Sequence, residues 1–308
     1  MNVCNGCKTG TLKILMKHGW ILYNKSFEDN KKFTEHIDWF LKTSKDFDIN
    51  LEAKSNVDVI FSFSDSIKSN QVQDNKPDFV IFFDKDIRLA QSLEAVGIKV
   101  FNNSKAIEIC DDKTLTQLIL SKNNIKTPTT IICPKSFFGF QEKDLSFLQE
   151  VATELSFPLV LKEAFGSFGN EVYLIKNKEQ LLAKTLELSS KQIMFQEYIK
   201  ESSGKDIRIH IVGGEFIGAV MRTNSQDFRA NASIGGTMTA YTPTAEEITL
   251  AKNACLVIGL DFAGVDILFG KSGPLICEIN SNAHMKNFFN ATGIDVVKKI
   301  FEHILKRI

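Results

Sequence analysis

The chain has 308 residues, more than one hydrophobic core usually organises, and its 44% hydrophobic and 24% charged content excludes a disordered polymer. Lys plus Arg equals Asp plus Glu at 37 each, so the charge balance gives no reason to expect nucleic acid or an anionic membrane as partner. No apolar run approaches the roughly 20 residues that cross a bilayer and no secretory leader pattern opens the chain, so a cytoplasmic protein is expected.

Residues 1–16 read as an N-terminal extension. Its Cys4 and Cys7 form a lone CxxC, and the chain holds no second pair to complete a four-ligand zinc site. Cys110, Cys133, Cys255 and Cys277 lie in apolar or helical contexts that suit reduced thiols. A strand over 18–23 leads into an amphipathic helix over 31–47, with Phe33, Ile37, Phe40 and Leu41 at helical spacing. The continuous apolar run 79–83 fits a strand buried on both faces of a parallel sheet. A helix over 86–96, a stop at Gly97 and a strand over 99–101 follow. Residues 17–108 are therefore expected to form a small doubly wound α/β domain, and without GxGxxG it lacks the phosphate loop of a dinucleotide site.

After Cys110 the texture becomes α+β: helix 112–123, strand 129–133, helix 144–155, strands 159–162 and 172–175, helix 178–189. From 192 onward strands dominate, over 207–212, 216–222 and 238–241, with helices over 245–258 and 295–307. Two α+β lobes, 109–190 and 191–308, are expected, with a cleft between them that suits a nucleotide.

Chemistry gathers in that second part. Lys162 ends a strand that runs into Gly166-Ser167-Phe168-Gly169, where glycines let backbone N–H groups approach phosphate oxygens; an ordinary glycine turn is the alternative. Asp206, Arg208 and His210 alternate with Ile207, Ile209 and Ile211, so the polar set faces solvent or a cleft. Arg222 and Arg229 add guanidinium groups able to grip a carboxylate or phosphoryl group. The runs 261–269 and 274–280, joined by Gly270-Lys271-Ser272-Gly273, read as a hairpin. Folding about its centre brings Asp266 opposite Glu278 or within one register step of it. Two facing carboxylates repel unless a cation lies between them, and Mg²⁺ takes such hard oxygen ligands. Glu278 and Asn280 share a face. An acidic, solvated hairpin edge is the competing reading.

The ordered set of Lys162, the glycine loop, Gln196-Glu197-Tyr198-Ile199, Asp206-Ile207-Arg208, Phe228-Arg229-Ala230-Asn231, Gly264-Val265-Asp266-Ile267 and Glu278-Ile279-Asn280 resembles the ATP-grasp enzymes, most closely the RimK-type α-L-glutamate ligases. The resemblance spans about residues 78 to 308. It implies an ATP-grasp fold, with two α+β lobes sandwiching ATP behind the small α/β domain. It implies that Lys113 and Lys162 meet nucleotide phosphates beneath Gly166, Ser167, Phe168 and Gly169. Gln196, Glu197, Tyr198 and Ile199 then hold adenine, with Glu197 and Asp206 near adenine and ribose. Arg229 and Asn231 lie near the transferred phosphate, and Asp266, Glu278 and Asn280 hold two Mg²⁺ ions, for which Mn²⁺ can substitute. Catalysis falls to Arg229, Lys162 and Arg222, the last meeting an acidic substrate with Arg208, Asn282 and His284.

The implied activity is transfer of the γ-phosphoryl group of ATP to a carboxylate, followed by attack of an amine to form an amide. Glutamate or a similar amino acid would be joined to a peptide, a protein tail or a small carboxylate, by an enzyme that can self-associate. A kinase on the same scaffold and a non-catalytic ATP-binding regulator are the alternatives. After Asn280 the chain departs from the family's usual Ser-Pro-Gly-Leu and reads Ser281-Asn282-Ala283-His284-Met285-Lys286. His284 there either contacts the incoming amine or is a surface histidine at a helix start. Asp266→Asn is expected to abolish ATP turnover, measured as ADP release, while leaving the fold intact.

Overall fold

The computed structural model of the chain describes residues 16–166, 171–231 and 235–308. Cys4, Cys7 and nearly all of the expected extension lie outside these residues. The first sheet collects β1 (Lys17–Tyr23), β2 (Ile49–Ser55), β5 (Phe79–Phe83) and β6 (Lys99–Phe101) in the order β2-β1-β5-β6, all parallel. Between them run α1 (Lys31–Thr43), the ribbon of β3 (Ser62–Phe63) and β4 (Ile67–Lys68), α2 (Asn70–Asp74) and α3 (Ile87–Ala95). All five residues of β5 are buried, because one apolar cluster covers each face of the sheet. β2 was not anticipated. Only Ile49, Leu51 and Ser55 of its seven residues are buried, so Asn50, Glu52 and Lys54 break the apolar run that marks an inner strand.

α4 (Ser104–Asp111) and α5 (Lys113–Lys122) lead into an antiparallel sheet of β7 (Thr130–Ile132), β8 (Leu159–Glu163), β9 (Val172–Ile175) and β10 (Ile193–Glu197), ordered β7-β10-β8-β9. Its helices are α6 (Leu148–Leu155) and α7 (Lys178–Glu187). A third, antiparallel sheet is ordered β13-β12-β11-β14-β15, from β11 (Lys205–Val212), β12 (Glu215–Thr223), β13 (Thr237–Tyr241), β14 (Phe262–Gly270) and β15 (Gly273–Asn280). α8 (Ala245–Ile258) starts at a Thr244/Glu247 capping box, ends at Gly259 in the left-handed region (φ 83°), and covers the apolar face made by Ile207, Ile209, Val265 and Ile267. α9 (Lys286–Thr292) and α10 (Val296–Leu305) close the chain.

One apolar cluster runs from Ile21, Phe79 and Phe101 of the first sheet through Val297 and Phe301 of α10 to Val220 and Phe262 of the third. Asn102 fastens the same junction. It is fully buried, its Nδ2 donates to the carbonyls of Phe262 (2.9 Å) and Ser281 (3.0 Å), and its Oδ1 accepts from the N–H groups of Asp261 (2.7 Å) and Phe262 (3.1 Å). Sequence reasoning passed over this residue, since an asparagine after a strand reads as a turn. Asn102→Ala removes four buried hydrogen bonds and is expected to lower stability by roughly 3 kcal/mol or more, read from denaturant unfolding.

Candidate active site

The hairpin has a two-residue turn, Lys271-Ser272, with Gly273 at φ 117°, a value that favours glycine. Pairing runs regularly from Gly270↔Gly273 to Ile267↔Ile276, then shifts by one residue so that Asp266 faces Glu278 and Gly264 faces Asn280. Cys277 is the extra residue, a β-bulge. The shift lets Ile276 and Ile279, three apart, both enter the core, while Glu278 and Asn280 turn to the other face.

That other face carries the charges. Arg222 lies directly across from Asp206, and Arg208 directly across from Asp266. Arg222 donates to Asp206 through Nε (2.6 Å) and Nη2 (2.7 Å), and Nη2 also lies 2.9 Å from Asp266 Oδ2. Arg208 grips Asp266 through Nε (2.6 Å) and Nη2 (2.8 Å). Burial alone would raise the Asp266 pKa, but Arg208 and Arg222 outweigh it and hold the carboxyl at about 2. Burial raises Asp206, against the pull of Arg222, and the Arg222 guanidinium is held charged by both acids. The polar face expected to meet solvent or a cleft is thus largely covered. Arg222, expected to act in catalysis and meet an acidic substrate, is 3% exposed and engaged by two carboxylates, and Asp206, expected near adenine and ribose, is its buried counterion.

His210, one row further on, is 1% exposed, with Gly218 and Gly264 opposite it on the two neighbouring strands and its ring 4.3 Å from Phe288. Burial, then the charge of Arg208, lowers its pKa to about 3, and burial does the same to His36, also 1% exposed. His284 lies 4.9 Å from the His36 ring and its Nε2 is 3.2 Å from the Lys32 carbonyl, its pKa lowered mainly by burial. It is half-buried rather than a solvated surface histidine.

Across the cleft, Asp112 caps α5 by accepting from the N–H groups of Thr114 and Leu115, which sets Lys113 at the first helical position. Lys113 Nζ donates to the Gly166 carbonyl (2.9 Å). Ser167, Phe168 and Gly169 lie outside the described residues. Lys162 is 7% exposed, and its Nζ has Cys277 Sγ at 3.7 Å and no carboxylate partner among the described residues. Gln196 is buried and donates to Thr130 Oγ1 (2.9 Å); exposed Glu197 accepts from the Thr129 N–H (3.3 Å). Tyr198 packs edge-on to Phe228, and Ile199 is buried. Arg229 is paired with Asp227 (2.8 Å) and also reaches the Val172 carbonyl, while the Asn231 carbonyl accepts from the Gly236 N–H.

Asp266, Glu278 and Asn280 offer two carboxylates and an amide, and Asn280 Nδ2 is 3.4 Å from Asp266 Oδ2. No cluster of three His, Cys, Asp or Glu side chains able to hold a metal occurs among the described residues, and Asn280 adds an amide oxygen beside the two carboxylates. Glu278 is half-buried and its side chain has no hydrogen bond or ion pair among the described residues. An unpartnered carboxylate facing a second one fits a hard divalent cation. No helix among the described residues is long and apolar enough to cross a membrane. Cys110, Cys133 and Cys255 are buried free thiols, and burial pushes Cys133 to about 11 and Cys255 to about 12.

Two antiparallel sheets, one carrying Lys162 with Lys113 on the helix before it and the other a carboxylate hairpin, are the arrangement of an ATP-grasp enzyme. The D-alanine–D-alanine ligase of Bacillus anthracis superposes with a TM-score of 0.70 at 16% identity, over 94% of this chain and 96% of that one, a likeness of fold. The RimK-like ATP-grasp domain matches residues 110–304, and the chain belongs to that family of ligases. The Mycoplasma pneumoniae MG012 homolog is 33% identical over 277 residues, 88% of this chain and 93% of that protein. A probable alpha-L-glutamate ligase of Shewanella denitrificans is 35% identical over 222 residues, 71% of each.

The two buried histidines give the stability a definite acid dependence. Folded, both stay neutral down to about pH 3, whereas unfolded histidines take up protons below about pH 6.5, so protonation favours unfolding. Their contribution is fully present above that value and is lost as pH falls towards 3. In chemical denaturation between pH 6 and 4, His36→Phe is expected to flatten the decline by roughly one proton, about 1.4 kcal/mol per pH unit.

Proposed function

We propose that the chain is an ATP-dependent carboxylate–amine ligase that joins glutamate or a similar amino acid to a peptide, a protein tail or a small carboxylate through an acyl phosphate. One observation carries the reading. Cys277 Sγ touches Lys162, a buried ammonium without a counterion, and the next residue, Glu278, faces Asp266. A charge ready for phosphate thus lies one residue from a pair ready for a cation.

Lys162 and Lys113 would hold nucleotide phosphates, and the strand 193–197 with Tyr198 and Ile199 would bound the adenine. Mg²⁺ on Asp266, Glu278 and Asn280, with Mn²⁺ as a substitute, would offset phosphate charge during transfer. Arg229, partly exposed and held by Asp227, is the guanidinium we take to reach a transferred phosphoryl group, and Asn231 lies two residues on. Arg208 is partly exposed on Asp266 and is the better candidate than Arg222 for contact with an anionic substrate. Arg222 and Asp206 position Asp266. Serine, phenylalanine and glycine at 167–169 complete the proposed phosphate loop. Buried reduced thiols are consistent with a cytoplasmic setting.

Incubation with ATP, Mg²⁺ and panels of amino acids and carboxylates, followed by mass spectrometry, tests the reading. An amide-linked product with ADP and phosphate supports it, and a stable phosphorylated product refutes it. Asp266→Asn would leave two guanidinium groups short of a counterion, so loss of turnover there is mixed with loss of stability. Glu278→Gln separates the two. It is expected to lower ATP turnover at least about a hundredfold, a loss of some 2.7 kcal/mol in transition-state stabilisation, while shifting the unfolding midpoint little.

A further inference from the structure

We propose that Asp84 is the residue that receives the amino group of the amino-acid substrate, holding it as an ammonium ion whose proton the Asp84 carboxylate can take before the amine attacks. The inference rests on the ligase reading above and assigns one residue of the same site.

The place comes from topology. In the order β2-β1-β5-β6 the chain leaves β1 towards one edge of the sheet and leaves β5 towards the other, so a crevice opens at the carboxyl ends of β1 and β5. Asn24 follows β1 there and Asp84 follows β5, and Asn24 Nδ2 donates to both oxygens of Asp84 (3.1 and 3.2 Å).

The chemistry comes from what Asp84 lacks. It is 6% exposed, its donors, Asn24 Nδ2, the Lys85 N–H (2.6 Å) and the Asp86 N–H, are all neutral, and no cation pairs with it among the described residues. The Lys85 ammonium lies 2.5 Å from Asp111 instead. Burial raises the Asp84 pKa, which marks an uncompensated charge. His36, stacked 4.7 Å from Phe83, is neutral with both ring nitrogens unpartnered among the described residues, so it does not supply the missing charge.

The loop that follows the metal residues ends at the same spot. Asn282, two residues past Asn280, donates Nδ2 to the Asp84 carbonyl (2.8 Å), while its Oδ1 is buried without a partner among the described residues. The carboxylate lacks a charge partner and the amide oxygen lacks a donor, and an ammonium group brings both the missing charge and three donors. A neutral hydroxyl would bring one donor and no charge.

The test compares free with N-acetylated amino acids. Protein saturated with Mg²⁺ and a non-hydrolysable ATP analogue is titrated calorimetrically with the twenty L-amino acids and their N-acetyl forms. At least one free amino acid is expected to bind about tenfold or more tightly than its N-acetyl form, and Asp84→Asn, which keeps an oxygen for Asn24, is expected to bring that ratio near one with the nucleotide affinity retained. The proposal is overturned if no free amino acid outbinds its acetylated form, a comparison that needs no variant, or if Asp84→Asn preserves the ratio. The ligase reading is tested apart from it, by hydroxylamine, a neutral nucleophile that captures acyl phosphates as hydroxamates. Absence of hydroxamate with ATP and a carboxylate panel sinks that reading while leaving the titration result standing.

Discussion

Everything at the chemical end of the molecule depends on Arg222 reaching two carboxylates on two different strands. Asp206 lies beside it on β11 and Asp266 lies one strand further away on β14, so a single guanidinium spans the centre of the third sheet. With Arg208 the four charges cancel, which is why they tolerate near-complete burial. Any slip of β12 or β14 against β11 would leave an acid facing an apolar neighbour. The cluster therefore fixes the alignment of three strands and the ionisation of Asp266 together. Glu278 is left as the surplus negative charge, at the point where the sheet opens.

The first sheet has a part in the same assembly. The segment after Asn280 is tied down three times on leaving the hairpin: Ser281 by Asn102, Asn282 by the Asp84 carbonyl, and His284 by the Lys32 carbonyl. Gly264 allows this, because a Cβ there would lie 2.6 Å from Ala283 and 3.2 Å from the Arg208 side chain. The loop thus crosses the sheet at van der Waals distance. Residues more than 170 apart in sequence meet around it, as the Asn102–Ser281 bond shows.

Much of this was legible in the chain. The apolar run 79–83, the capping box at 244–247 and the glycine-bounded turn at 271–272 each carry a local signal, and each marks the element found. The facing pair Asp266 and Glu278 was legible to within one residue, and the spacing of Ile276 and Ile279 against Val265 and Ile267 could have settled the register. What sequence could not supply was the fate of polar groups. Alternation shows that Asp206, Arg208 and His210 share a face, but whether that face meets water depends on α9 and on a guanidinium of the neighbouring strand. The same holds for Asn102 and Asp84, whose roles arise only once distant segments arrive.

The bulge at Cys277 acts on the hairpin much as a reading frame acts on a message. On the turn side of it, even-numbered residues of β15 face the core; beyond it, odd-numbered ones do. Paired insertions near Lys271-Ser272 lengthen both strands and leave the assignment of faces intact, and loss of Cys277 would only straighten the bulge, whereas one residue inserted between Glu278 and Ile279 would turn Ile279 to the charged face and Asn280 towards the core. Insertions in this hairpin should therefore be tolerated in pairs at its tip and forbidden singly beyond the bulge.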